Sequence, residues 1–141
     1  MVSDELKTII ENIEKQGQMS FLEKATEEQI STFEKTNRIH FPEHYKEWLQ
    51  FSDGGEFFLP AGVQFYGVHH KPVVDINDDD KPNDNYVIIG ALSTGDPIVF
   101  EKGHEQISIY NHDAGVIEPD ETYENFFEFL KNLRSMLGIG E

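Results

Sequence analysis

The chain has no cysteine in its 141 residues, which rules out thiol nucleophiles, disulfides and cysteine metal sites. That absence says little about compartment. Positive charge is also scarce. Lys and Arg number 11 against 27 Asp and Glu, a formal net charge of −16, which argues against direct binding to nucleic acid or to an anionic membrane surface. No apolar run approaches the roughly 20 residues needed to span a bilayer. The N-terminal MVSDELKTII mixes acids and a lysine into a helical pattern, without the basic stretch and apolar run of a secretory signal. The expectation is a soluble, cytoplasmic protein whose natural complement is a basic partner. Phosphate-binding glycine loops are missing too, since neither GxxxxGK[ST] nor GxGxxG occurs.

No internal repeat or linker divides the chain, so one domain over residues 1–141 is expected. A chain of this length can bury about 70% of its unfolded surface. Leu6, Ile9, Ile10 and Ile13 recur at helical spacing, with Ser3 available as a cap and Gly17 just past the end. Thr26 and Gln29 form a capping-box pair ahead of a short amphipathic helix through Ile30 and Phe33. Pro42 disfavours helical geometry at Phe41 but suits a first helical turn, so a further helix should start at Pro42. It carries Tyr45, Trp48 and Leu49 on one stripe and ends at a turn made of Asp53, Gly54 and Gly55.

The period then changes from helical to strand-like. GEFFL and GVQFYGV are short and aromatic, and residues 86–92, 98–101 and 107–110 are further strand candidates. Lys102 to Glu105 should join two strands as a hairpin. Asp113 to Gly115 reads as a turn before a brief Val116-Ile117 strand, and residues 74–85 as a polar loop. Tyr123, Phe126, Phe127, Leu130, Leu133 and Leu137 lie at steps of three or four, which predicts a long C-terminal helix. Helices, consecutive strands on short turns and a final helix imply an α+β fold: N-terminal helices, a central, mainly antiparallel β-sheet and that terminal helix. A parallel sheet would need crossover helices, and no such helix is visible between Gly55 and Pro119.

Residues that could carry chemistry do not combine into a site. An EF-hand reading from Asp75 places Asn77 and Asp79 well, but Asp80 stands where glycine is required and Tyr86 where the bidentate Glu belongs. Six histidines, at 40, 44, 69, 70, 104 and 112, lack ligand spacing: Pro42 separates His40 from the helix that carries His44, and His69 and His70 would point to opposite faces of an extended segment. Ser93 has no flanking glycine of a nucleophile elbow and suits a turn. The reading is therefore of a protein that is not an enzyme, with no cofactor and no metal. The charge is clustered, because Asp75–Asp84 contributes −4 and Asp113–Glu128 contributes −6.

The segment from Thr26 to Gly55 resembles the signature of the SUKH superfamily, the Smi/Knr-like domains. The resemblance rests on Phe41, Pro42, Tyr45, Trp48, Leu49, Gly54 and Gly55, followed by YVIIGAL, Gly95-Asp96, PIVF, ISIYNHD and an aromatic-rich last helix. It covers about Leu22 to Leu133. The family usually has leucine where this chain has Phe41, a change that keeps an apolar residue. The resemblance implies a non-catalytic binding module in which Gly54, Gly55 and Asp96 border a shared cleft, while Pro42, Tyr45, Trp48 and Leu49 are mainly structural. In bacteria it implies an immunity (antitoxin) protein that neutralises a cognate toxin, often a nuclease with a basic cleft. The partner-binding candidates are then Asp78, Asp79, Asp80, Asp96, Asp113, Glu118, Asp120 and Glu121, with neither nucleic acid nor membrane as a direct partner. The alternative is a regulatory or scaffold protein of a cell-wall or signalling pathway.

Overall fold

A computed structural model describes residues 2–58, 62–69 and 83–133. Helix α1 (Asp4–Glu14) leads into a two-residue strand β1 (Met19–Ser20), then helices α2 (Glu27–Asn37) and α3 (Glu43–Leu49). Six strands follow, β2 (Gly55–Phe57), β3 (Val63–Phe65), β4 (Tyr86–Leu92), β5 (Pro97–Glu101), β6 (Ile107–Asn111) and β7 (Val116–Tyr123), before helix α4 (Phe126–Lys131). The seven strands form one sheet in sequence order, and every neighbouring pair is antiparallel. This is the α+β architecture with a mainly antiparallel sheet. Among the described residues no helix is long and apolar enough to cross a membrane.

Local chemistry explains where the helices begin. Ser3 Oγ accepts the Leu6 N–H at 3.3 Å, and Leu6, Ile9, Ile10 and Ile13 are buried. The Thr26–Gln29 capping box closes at 3.1 and 2.9 Å. Helix α3 differs from expectation by one position. Pro42 is its cap, with extended ψ of 142° and no side-chain bond to offer, so helical geometry starts at Glu43. The missing cap comes from far along the chain: the Glu105 carboxylate accepts the Glu43 N–H at 2.9 and 3.0 Å.

Among the described residues the C-terminal helix is shorter than its periodicity predicts. It runs for six residues, with Asn125 Oδ1 accepting the Glu128 N–H at 3.0 Å as its cap. Tyr123 instead pairs with Ile107 as the last residue of β7, and Leu137 lies outside the described residues. The expected brief strand at Val116-Ile117 extends over eight residues.

The core is largely aromatic. Tyr45, Trp48, Phe126 and Phe129, from α3 and α4, all meet Phe65 of β3, the first tilted and the other three edge-to-face, so both helices lie on one face of the sheet. Phe41 touches Phe100 of β5 on the same side. Edge-to-face geometry, as in Trp48–Phe57 at 78°, adds favourable quadrupole contacts to the burial of large apolar area.

Candidate protein-binding site

The double-glycine turn is a structural clamp. Ser52 Oγ accepts the Leu22 N–H at 2.8 Å and donates to Gly54 O at 2.7 Å. Asp53, 1% exposed, turns inward: Oδ1 accepts the Val68 N–H at 2.6 Å and Oδ2 the His69 N–H at 2.8 Å. Gly54 and Gly55 hold φ of 98° and 128°, values that side-chain-bearing residues rarely adopt. The turn therefore ties the end of α3 to the end of β3. Tyr45 belongs to the same assembly. Its buried hydroxyl donates to Tyr66 O, and Ile89 O lies 3.3 Å away. Burial pushes the Tyr45 pKa well above its ordinary value, and the nearby Asp53 charge pushes the same way. Tyr45, Trp48 and Leu49 have no exposed surface.

Asp96 and these glycines belong to strands set apart in the sheet. Gly55 pairs with Phe65, Phe65 with Gly90, and Gly90 with Ile98. That register places β2 three strands from β5, about 14 Å away at the usual strand spacing. Asp96 instead joins two hairpins. Its carboxylate accepts the His112 N–H at 3.2 Å and bonds to His112 Nδ1, which links the β4–β5 turn to the β6–β7 turn. Asp113, with its side chain 91% exposed, stands 3.4 Å from His112 Nε2 on the other side.

Glu118, Asp120 and Glu121 lie along strand β7, the last in the sheet and an open edge among the described residues. Ser108 faces Thr122 while Tyr110 faces Ile117, so a single residue of β6 stands opposite four of β7, Glu118 to Glu121. The acidic tetrapeptide therefore bows off the ladder. Such a bulge re-aims side chains, and with Pro119 and the charges it also protects the edge from pairing with another strand. Asp120 and Glu124 are exposed and Glu121 is half-buried; of Glu118 only the backbone is described. Glu121 also helps burial to raise the pKa of Tyr123. Asp78, Asp79 and Asp80 lie outside the described residues.

The structure thus separates candidates that sequence had grouped. Asp96 and Asp113 sit at the end of the sheet that carries the β4–β5 and β6–β7 turns, Asp120 and Glu121 along the edge between its ends. Sequence gave no signal for Asp53 as a two-bond anchor, or for Glu105 as a cap 62 positions from Glu43; both depend on contacts distant in the chain. Among the described residues no three His, Asp or Glu side chains are placed to hold a metal ion.

No curated protein matches the chain. A family model does, that of the SMI1 / KNR4 family (SUKH-1), over residues 24–132. The match runs from just before the α2 cap through α4, so it takes in the clamp, the whole of the sheet after β1 and the acidic edge. The chain belongs to the SMI1 / KNR4 family (SUKH-1).

Proposed function

We propose that this protein is a bacterial immunity protein, a non-catalytic module that binds a cognate toxin in the cytoplasm and blocks it. The observation that supports this reading most is the bowed acidic segment Glu118–Glu121 on the last strand of the sheet, flanked by exposed Asp113 and Glu124. A nuclease must attract phosphates, so its cleft is basic. An acidic edge is drawn to such a cleft at long range and competes with the substrate for it. Family membership agrees with a binding role. The family-motif residues Pro42, Tyr45, Trp48, Leu49, Gly54 and Gly55 serve the fold in this reading, and selectivity lies in the acids.

The test is co-expression with the toxin encoded by the neighbouring gene, followed by calorimetry on the purified pair. Growth rescue and a stoichiometric complex are expected. Rescue without a complex, or a complex whose association rate is indifferent to ionic strength, contradicts the proposal. Electrostatic steering predicts a fall of roughly tenfold in that rate between low and high salt.

A further inference from the structure

A groove between the C-terminal end of α2 and the β5–β6 turn gathers positive charge on a chain whose net charge is −16. Lys35 and Arg38 reach it from α2 and its cap, Lys102 from the turn, and His40 stands beside them with Ile39 in the lining. Lys46 and Lys131 are ion-paired. Lys35, Arg38 and Lys102, like Lys7, Lys15 and Lys24, are in no ion pair among the described residues, and the first three are set apart by lining one groove. Among the described residues no acid pairs with these three cations, so the groove offers positive charge to an anionic ligand. The carboxylate on the inner wall does not fill that role. Glu34 Oε2 accepts the Phe41 N–H at 2.8 Å and lies 3.7 Å from Lys46 Nζ and 3.5 Å from His40 Nδ1.

Arg38 supplies a second, independent indication. It closes α2 in the left-handed conformation, φ 57° and ψ 44°, where the Ile39 N–H returns to Glu34 O at 3.1 Å. Glycine is the residue this closure favours. Attraction to the negative end of the helix dipole accounts for a cation such as Lys35 in the last turn, but it does not require a long side chain at the left-handed position. An arginine there stands against local preference, and an unfavourable backbone conformation points to a role for the side chain.

We propose that this groove docks an acidic peptide segment of a protein partner, with carboxylates on Arg38, Lys35 and Lys102 and an apolar residue over the aliphatic stems of the cations. The guanidinium fork matches a carboxylate in a bidentate manner. A short peptide is favoured over nucleic acid because a long polyanion meets the field of the whole acidic chain. A segment of few charges responds mainly to cations within about one Debye length, ~8 Å at physiological salt. The groove and the acidic edge share no lining residue, and the test of the groove needs no toxin, so it stands or falls separately from the immunity reading.

The experiment titrates the full chain with a synthetic peptide of alternating Glu and Leu at physiological ionic strength, read by calorimetry and by amide NMR shifts. Saturable binding is expected, with shifts at Arg38 to His40 and at Lys102. Arg38→Gly and Lys102→Gln should each weaken it by about fivefold, in line with single exposed ion pairs, while Lys7→Gln on the exposed side of α1 should not. Arg38→Gly should also raise Tm by roughly 3 °C through relief of the left-handed residue. A variant that gains stability while losing the peptide distinguishes recognition from a structural role. Unchanged affinity in Arg38→Gly, or no saturable binding at all, overturns the proposal. So does equal binding of a single-stranded oligonucleotide, which would make the groove a general polyanion site, or self-association of the chain that competes with the peptide, which would make the occupant a second copy.

Discussion

Asp53 Oδ1 accepts the backbone N–H of Val68 at 2.6 Å, a charge-assisted bond closed off from solvent by a residue only 1% exposed. Together with the bond to His69, it makes the turn after α3 and the end of β3 one unit. Asp53→Ala leaves two N–H groups without their acceptor and should cost about 3 kcal/mol of folding stability. Urea denaturation measures it directly; an unchanged midpoint would show that water replaces the carboxylate.

Gly54→Ala should also destabilise, by roughly 2 kcal/mol. Its φ is 98° and an added Cβ would approach Phe65 O to 2.7 Å, a backbone atom with little freedom to move. Gly103 is the control. Its φ is similar at 87°, but an added Cβ meets nothing within 4 Å. Gly103→Ala therefore isolates the conformational part, about 1 kcal/mol. Equal losses at both sites would remove the steric argument.

Alkaline pH should weaken the fold. Burial, and then the Asp53 charge, push the Tyr45 pKa well above its ordinary value, against a smaller opposing effect of the bond to Tyr66. A group whose folded pKa is raised holds its proton more tightly in the native state. Its stabilising contribution is complete below the unfolded value of about 10 and is lost as pH rises beyond it, by up to ~1.4 kcal/mol per pH unit. Tyr123, raised by burial and by Glu121, acts in the same direction. Stability followed by urea midpoint should be level from about pH 8 to 9.5 and then fall; Tyr45→Phe should flatten part of that fall while lowering the plateau.

Glu105→Ala removes the carboxylate that caps α3 through Glu43. Loss of a helix cap typically costs ~1 kcal/mol. Hydrogen exchange should quicken first at the N-terminal amides of α3. Uniform loss of protection across the chain would instead place Glu105 in the global core.

Neutralising the exposed edge, with Asp113→Asn, Asp120→Asn and Glu124→Gln together, should leave stability within about 0.5 kcal/mol, as is usual for surface sites. Association with the toxin should slow by roughly tenfold, mainly through the on-rate. Stopped-flow measurements at two salt concentrations separate this from a loss of contacts, which would raise the off-rate instead.

Much of the fold is legible wherever partners are neighbours in the chain. The Thr26–Gln29 box, the Ser3 cap, the stripe of Tyr45, Trp48 and Leu49 and the hairpin between β5 and β6 all depend on spacings of a few residues. Tyr123 shows how that signal fails. It lies three positions before Phe126 and faces the same core, with its ring centroid 5.5 Å from that of Phe129, but it does so from a strand. Periodicity records which residues share an apolar surface. It does not record which backbone brings them there.

By itself, then, the sequence determined the α+β class, the caps, the glycine turn, the acidic balance and the family, because each is carried by local geometry or by composition. Tertiary structure alone decided that Asp53 and Glu105 are anchors, that Asp96 is bound to His112 across two hairpins, and that Glu118–Glu121 bows out from the last strand of the sheet. It also decided that three cations of an acidic chain meet at one groove. Those outcomes rest on strand register and on contacts between residues far apart in the chain, and neither is encoded in spacing.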